Sequence, residues 1–231
     1  NRGNYRRDLF APKGAAEAFE RCLFEACEKC GWRLHAFVIM RNHFHLALET
    51  PEPNLSAGMK WLQGTWAARF NRFRGQVGHA FQGRFKALHV EPGHALAQVA
   101  HYIHLNPVRA KVVSADKLEE FAWSSLRWFG RKDRPAFLTA ETVLGESGGL
   151  PDTPAGWRRY RAYLAVLAEE EPKKREERLG RLSRGWVVGS PEFKQALRKD
   201  LRQRGAELDR ASLGGPEARS ELRVEEGEEG L

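Results

Sequence analysis

The sequence predicts an α/β (α+β) domain in which helices cover one antiparallel sheet. Apolar residues recur at three- and four-residue spacings over 15–30 and 55–74, as on the buried face of a helix. Short apolar or alternating runs over 32–40 and 43–49 have strand character. No apolar run approaches the roughly 20 residues that span a bilayer, and we recognise no secretory leader.

The first predicted element is a helix over 15–30, which Gly31 ends. The three cysteines all fall within it, and Cys27-x-x-Cys30 has no second pair, so zinc binding is disfavoured. Reduced thiols packed on the sheet are the expectation, which suits a reducing compartment. The apolar stripe of this helix consists of Ala18, Phe19, Cys22, Leu23, Ala26 and Cys27.

Two strands follow as a predicted hairpin. The run at 36–40 indicates that the strand over 32–40 is buried on both faces. Arg41 and Asn42 form the tight link into the second strand over 43–49.

A helix and a strand come next. Asn54 or Ser56 is expected to cap a helix that runs to about residue 74. Residues 85–90 are predicted to form another strand. The apolar stripe of the helix consists of Leu55, Met59, Leu62, Trp66, Phe70 and Phe73.

The character of the chain changes after residue 130. Composition predicts a linker over 131–154, a helical accessory region over 155–213 and a disordered tail over 214–231. Within the accessory region, 155–171 and 190–205 are predicted helices. The second has a favourable start, because Ser190 can cap it and Pro191 suits its first turn.

Charge is distributed unevenly. Residues 1–135 carry 21 Lys and Arg against 12 Asp and Glu, whereas residues 136–231 carry 17 against 18. The basic excess therefore lies in the first part, where it can attract phosphate, although a solvated basic surface explains the same charge.

The pair His43 and His45 is the most informative local pattern. Side chains alternate along a strand, so both imidazoles point one way while Phe44, Leu46 and Leu48 point into the core. Two neighbouring imidazoles can bind a divalent metal. Taken alone, however, such a pair is more often structural.

A helix predicted over 93–106, which Pro107 limits, supplies the complementary groups. Tyr102 and Asn106 lie one turn apart on it. If this helix crosses the sheet, they come over the His43/His45 face and complete a nitrogen-and-oxygen site that suits Mg²⁺ or Mn²⁺. A metal site beside a tyrosine suggests phosphodiester chemistry on DNA.

Five motifs together resemble the REP-associated tyrosine transposases, which are single-tyrosine HUH (His-hydrophobe-His) enzymes related to transposases of small insertion sequences. The resemblance covers residues 1–130 as a catalytic domain and is weaker over the last hundred residues. It implies a ferredoxin-like or RRM-like sheet, and a first strand that begins before Asn1. The motifs are Arg2-Gly3-Asn4, Met40-Arg41-Asn42-His43-Phe44-His45, Phe81-Gln82-Gly83-Arg84-Phe85, Tyr102-Ile103-His104-Leu105-Asn106-Pro107-Val108-Arg109-Ala110 and Trp123-Ser124-Ser125.

By position, the resemblance implies that His43, His45 and Asn106 hold the metal and that Tyr102 is the nucleophile. The implied substrate is single-stranded hairpin DNA, cut through a 5′-phosphotyrosine intermediate that can rejoin a strand. The resemblance also implies a bacterial cytoplasmic, nucleoid-associated protein that acts as a monomer or homodimer, with no small-molecule cofactor and no membrane.

Basic residues near these motifs are the expected DNA contacts, and Phe81 is a candidate for stacking on an unpaired base. Arg109 can hold phosphate or complement a helix C-terminus. His101 and His104 are expected to have surface or packing roles. The DNA-binding candidates are Arg41, Arg69, Arg72, Arg84, Lys86 and Arg109.

Two other functions fit parts of the pattern. A domesticated, non-catalytic relative that binds hairpin nucleic acid as a regulator needs the basic surface but not Tyr102. A metal hydrolase that acts on small phosphoesters needs the histidine pair but also not Tyr102. Replacement of Tyr102 therefore discriminates both from the transposase.

Overall fold

The computed structural model describes residues 7–169 and 186–211, with side chains up to residue 204. The described residues divide into two compact units, with the boundary between Val188 and Gly189. The mixed α+β class is confirmed. The elements are α1 (Ala15–Cys30), β1 (Arg33–Ile39), β2 (Phe44–Glu49), α2 (Leu55–Arg74), β3 (His89–Val90), α3 (His94–His104), α4 (Asn106–Arg109), 3₁₀ turns at Ala115–Glu120 and Ser125–Arg127, α5 (Glu141–Gly145), α6 (Pro154–Glu169), β4 (Val187–Val188) and α7 (Pro191–Ala211).

The predicted hairpin is confirmed. β1 and β2 are antiparallel, with Val38 opposite His45, and the amide of Met40 donates to the carbonyl of His43 at 2.8 Å. The register shifts between Leu34 and Ala36. Single bridges extend the sheet, from Leu34 to Leu138 and from Val38 to Ser124. In the described residues, this sheet therefore has two regular strands, fewer than a full ferredoxin-like sheet. The motif Arg2-Gly3-Asn4 and any earlier strand lie outside the described part.

The prediction of a strand over 85–90 is wrong for most of that range. Only His89–Val90 are extended, and they pair in parallel with Val187–Val188. Phe85 and Leu88 instead line a cavity beside β2, so their apolar character reflects contact with that cavity rather than strand pairing.

An aromatic core joins α1, α2 and β2. Phe44 packs 4.6 Å from Phe19 and 5.9 Å from Phe81 between ring centroids. Trp66 lies 5.8 Å from Phe19 and donates from its indole nitrogen to the carbonyl of Ala15 at 3.1 Å. Phe44 is thus buried as the alternation predicted, whereas Leu46 and Leu48 are only half-buried and line the cavity beside β2.

Phe73 corrects the predicted stripe of α2. Phe70 stacks on Trp66 at 4.7 Å and occupies the last core position of this helix. Phe73, one turn beyond, has a 76% exposed side chain. The spacing was helical, but the last turn of α2 extends past the core.

The start of α2 differs in detail from the prediction. Asn54 precedes the helix, but its side chain makes no capping hydrogen bond. It accepts instead from the indole of Trp32 at 2.7 Å and donates to the carbonyl of Cys30 at 2.9 Å. Asn54 therefore ties the start of α2 to the end of α1, which Gly31 ends in the left-handed conformation as predicted.

Pro107 does not end the helical path. α3 stops at His104, and Pro107 lies in the first turn of the short helix α4, where its missing N–H costs nothing. Asn106 is accordingly the first residue of α4 rather than the last of α3.

A buried chain of hydrogen bonds fastens α3 to α6 and to the hairpin. The hydroxyl oxygen of Tyr160 lies 3.0 Å from His101 Nδ1 and 2.8 Å from His104 Nδ1. His104 Nε2 lies 2.8 Å from Ser125 Oγ. Ser125 Oγ accepts from the amide of Phe37 at 2.9 Å and donates to its carbonyl at 3.2 Å. These buried side chains link α3 directly to β1, so the expected packing roles of both histidines are confirmed.

One direction of donation satisfies every group in this chain. His101 donates to Tyr160, whose hydroxyl donates to His104 Nδ1, and His104 Nε2–H donates to Ser125. Both rings are neutral in that arrangement. Burial, with a smaller contribution from His101, lowers the pKa of His104 to about 3. Burial also raises the pKa of Tyr160 well above its ordinary value.

The region after residue 130 shares this core. Trp157 of α6 stacks on Phe129 with ring centroids 4.2 Å apart, and Leu164 is fully buried. Residues on both sides of the expected boundary at 130 therefore belong to the first compact unit. In the second unit, α7 begins as predicted, because Ser190 Oγ accepts from the amide of Phe193 at 3.1 Å.

The cysteines are free thiols, with Cys22 and Cys27 buried, as expected. Burial raises the pKa of the Cys27 thiol to about 12. Within 7–169 and 186–211, no three His, Cys, Asp or Glu side chains converge as a metal site. In that same part of the chain, no helix combines the length and apolar character that crossing a bilayer requires.

Gly58 tests the contact between α1 and α2. A Cβ at Gly58 would overlap the buried ring of Trp32 and lie 2.8 Å from Cys30 Sγ. Gly58→Ala should therefore lower the free energy of unfolding by about 1–3 kcal/mol in urea denaturation. Gly64 on the same helix has nothing near its Cβ position. Gly64→Ala should raise stability by up to about 1 kcal/mol, and equal effects at both sites would contradict the packing described.

The buried His104 predicts a specific pH dependence. Its folded-state pKa of about 3 lies below the ordinary 6.5, so between these values the unfolded chain takes up a proton that the folded chain does not. Stability should therefore fall as pH falls through this window, by up to about 1.4 kcal/mol per pH unit from His104. His104→Gln should flatten the slope of unfolding free energy against pH. His79→Gln, at an exposed histidine, should leave the wild-type slope, and identical slopes for all three proteins would refute the assignment.

Candidate active site

The site lies where α3 packs against β1 and β2. The ring of Tyr102 lies 5.6 Å from that of His45, and the His45 ring lies 5.1 Å from that of His43, as centroid distances. Neighbouring rings are nearly perpendicular, at 85° and 86°. The fold therefore brings the predicted tyrosine and both predicted imidazoles side by side.

A side-chain contact orients His43. Its Nδ1 lies 2.7 Å from Asn42 Oδ1, which can only accept. The proton of a neutral His43 is thus on Nδ1, and Nε2 carries the lone pair. Ligating histidines in metalloproteins are commonly oriented by a hydrogen bond of this kind.

Arg109 lies against the tyrosine. Its guanidinium carbon is 4.7 Å from the centroid of the Tyr102 ring, a cation–π contact between α4 and α3. Tyr102 is half-buried and Arg109 is exposed. The cation is therefore placed beside the phenol and open to a phosphate.

Asn106 is buried and its amide nitrogen donates to the carbonyl of Tyr102 at 3.1 Å. This bond connects the first residue of α4 to the last turn of α3. This hydrogen bond holds the Asn106 side chain against the backbone of Tyr102. The role of Asn106 as a third metal ligand stays a prediction.

One face of α3 is fastened in the interior, and another carries Tyr102 toward the histidine pair. His101 and His104, three residues apart, are held by Tyr160 and Ser125 in the interior. Tyr102 is adjacent in sequence but points away from that face, toward His45. The sequence analysis missed this arrangement: Ser125 belongs to the motif Trp123-Ser124-Ser125, but no local pattern pairs it with His104.

Two of the six predicted DNA contacts form ion pairs with carboxylates. Arg69 forms two hydrogen bonds with the carboxylate of Glu25, at 3.1 and 3.2 Å, and Arg41 pairs with Asp8 at 2.6 Å. All six candidates are exposed, including Arg41 and Arg69.

Four of these candidates lie in one long basic stretch of the chain. No Asp or Glu occurs between Glu52 and Glu91, whereas this stretch contains six Lys or Arg. The exposed phenyl of Phe73 lies within it. The sequence analysis missed the exposure of Phe73, which it placed on the buried stripe of α2.

A cavity of about 410 Å³ adjoins the ring cluster, and His45 and Tyr102 contribute to its wall. Most of its lining is apolar, with Leu46, Leu96 and Val99 among the lining residues. Sequence reasoning gave no sign of it, because the cavity forms only when β2, α3 and the irregular segment after Phe85 meet.

A protein-family model supports the motif-based resemblance over the first part of the chain. Residues 1–106 match the family model described as "Transposase IS200 like". A solved REP-associated tyrosine transposase, bound to a REP hairpin, is structurally similar with a TM-score of 0.44 and 16% identity, over 61% of this chain and 81% of that one. No curated protein matches the chain. The matched segment includes His43, His45, Tyr102 and Asn106.

Proposed function

We propose that this protein is a metal-dependent nuclease and strand transferase that cuts single-stranded DNA beside hairpins through Tyr102. The observation that carries the proposal is the contact of the Tyr102 ring with His45, next to His43 and beneath the Arg109 guanidinium. A phenol, an imidazole pair and an exposed cation together suit attack on a phosphodiester.

The residues present fit a divalent ion. Two imidazoles that bind one ion at about 2.1 Å, roughly at right angles, have ring centroids about 5 Å apart, and the observed separation is 5.1 Å. The lone pair on His43 Nε2 supports the same reading. His43 and His45 would hold Mg²⁺ or Mn²⁺, with the amide oxygen of Asn106 and phosphate oxygens of the DNA as further ligands. When bound, such an ion neutralises charge on the scissile phosphate.

The chain's own residues perform the covalent step. The phenolic oxygen of Tyr102 forms a bond to the scissile phosphorus, and the bond from phosphorus to the 3′ oxygen of the preceding nucleotide breaks. The phenol loses its proton and the departing 3′ oxygen gains one. Arg109 limits rotation of the phenol and offers its guanidinium to a phosphate oxygen.

The product is a 5′-phosphotyrosine, which keeps the energy of the cleaved bond. A 3′-hydroxyl that later attacks this phosphorus releases Tyr102 and joins two strands. No external nucleotide is required, and this reversibility distinguishes strand transfer from hydrolysis.

The DNA strand is proposed to follow the basic stretch between Glu52 and Glu91. Arg72, Arg84 and Lys86 offer exposed charge, and Phe73 offers an exposed aromatic face on which an unpaired base can stack. Arg41 and Arg69 can add exposed charge to this path, although each also forms an ion pair with a carboxylate. A DNA substrate of this kind implies a nucleoid-associated protein of the bacterial cytoplasm, as the family resemblance suggests.

The rival function is hairpin binding without cleavage, and replacing Tyr102 separates the two. With Mn²⁺ and a hairpin library, the wild-type protein should form a covalent DNA adduct visible as a shifted band on a denaturing gel. Tyr102→Phe should form none yet bind the same hairpins, because only the phenolic oxygen is removed. Tyr163→Phe, at another half-buried tyrosine, should retain the adduct.

Absence of any wild-type adduct would favour the binding-only regulator. Cleavage that persists without an adduct in Tyr102→Phe would favour the metal hydrolase.

The basic surface predicts a salt dependence. Arg84→Gln combined with Lys86→Gln should weaken single-stranded DNA binding and reduce the slope of log affinity against log salt by about 1.4, since each lost phosphate contact removes about 0.7. Fluorescence anisotropy at several salt concentrations measures this slope. Arg158→Gln, which removes an exposed charge on α6, should leave it unchanged. A slope equal to wild type in the double variant would exclude these residues from the interface.

A further inference from the structure

The cavity between β2, the segment after Phe85 and α3 has the lining of a binding site rather than a packing defect. Its volume of about 410 Å³ lies in the range of small-molecule sites, about 300–1,000 Å³. The wall is mainly aliphatic, with His35, Glu49, Lys86 and Thr142 as polar contributors. An apolar body with a few convergent polar groups is the composition that binds a flat, polar-edged ligand.

His35 is the unusual member of the wall. Its side chain is 5% exposed, and its Nε2 has no hydrogen-bond partner in the described structure. Its Nδ1 lies 3.0 Å from Thr139 Oγ1. Burial lowers the pKa of His35, an effect that Glu49 partly offsets.

The neighbouring carboxylate settles which nitrogen carries the proton. Glu49 Oε2 lies 3.7 Å from His35 Nε2, which is too far for a hydrogen bond but close enough to repel a lone pair there. The hydroxyl of Thr139 then donates to Nδ1, and Nε2–H is left as a buried donor. Glu49 Oε1 accepts from Arg33 at 3.3 Å, so Oε2 remains as an acceptor beside that donor.

A buried donor next to a carboxylate acceptor matches the edge of a nucleobase. Each base presents a donor and an acceptor side by side on its Watson–Crick edge, and its faces are apolar. Burying one of these bases would satisfy Nε2 of His35, which otherwise carries the cost of a buried unpaired donor.

The position of the cavity indicates where that base belongs. Tyr102 and His45 are part of its wall. A base held in the cavity therefore belongs to a nucleotide next to the phosphate that Tyr102 attacks. Lys86, an exposed cation on the same wall, lies where the backbone of that nucleotide can be held.

We propose that this cavity binds one unpaired DNA base adjacent to the scissile phosphate, with its edge against His35 and Glu49 and its faces against the aliphatic wall. This inference rests on the proposed function, for which it supplies a device that sets the cut position. When this base leaves the stack and enters the cavity, only the phosphate next to its own nucleotide lies beside Tyr102.

The pocket can be tested without cleavage. The full chain, with methyl groups labelled for NMR, is titrated with the four 2′-deoxynucleoside 5′-monophosphates and with deoxyribose 5-phosphate, which lacks a base. Saturable shifts of the Leu46, Leu96 and Val99 methyls with at least one nucleotide, and not with the sugar phosphate, are expected. No such shift, or equal shifts with the sugar phosphate, would overturn the proposal.

Filling the cavity supplies the matched variants. Leu96→Trp and, as a second variant, Val99→Phe should abolish the nucleotide-dependent shifts, whereas Val166→Ala at an exposed position should retain them. Thermal melting establishes that each variant is folded. Undiminished shifts in a folded, filled variant would place the nucleotide elsewhere.

A substrate series then tests the link to the cut. Each nucleotide flanking the cleavage position of an adduct-forming hairpin is replaced in turn by an abasic residue. One position should slow adduct formation by roughly 5- to 150-fold, the range expected for loss of one stacked base, and Leu96→Trp should add little to that loss. Adduct formation that no abasic position slows would refute the pocket's role while leaving Tyr102 cleavage intact; failure of the wild type to form any adduct would instead refute the proposed function.

Discussion

The rotation of α3 about its own axis is the constraint on which the site depends. His101 and His104 are held in the interior by Tyr160 and Ser125, with four side chains and the main chain of Phe37 in one hydrogen-bonded chain. Because an α-helix turns about 100° per residue, fixing those two histidines also fixes where Tyr102 points. That direction is toward His45.

This arrangement explains why polar groups are buried so close to the site. A helix held only by aliphatic packing can rotate slightly or shift by a rotamer, whereas a fully satisfied polar chain has one low-energy geometry. This arrangement is sensitive to acid, because His104 must stay neutral for its hydrogen bonds to Tyr160 and Ser125 to persist. The strand that carries the histidines is constrained as well. Phe44 packs in the aromatic core, so the neighbouring His45 side chain points to the opposite face of β2.

Local periodicity accounts for what the sequence predicted well. Alternation placed His43 and His45 apart from Phe44, Gly31 ended α1, and the 3.6-residue repeat placed Tyr102 on the helix that meets them. Contacts between distant segments account for what it missed. The partnership of Ser125 with His104 spans elements that no local pattern relates, and the cavity needs three separate segments to form. Phe73 had the correct spacing but lies beyond the core, and Phe85 to Leu88, predicted as part of a strand, line the cavity instead.

The most direct measurement is mass spectrometry of the protein–DNA adduct after proteolysis. If the phenol beside the histidine pair is the nucleophile, the nucleotide mass will be found on the peptide that contains Tyr102, attached through a 5′-phosphate. Attachment at Tyr160 or Tyr163, or through any residue other than a tyrosine, would contradict the site as the fold presents it.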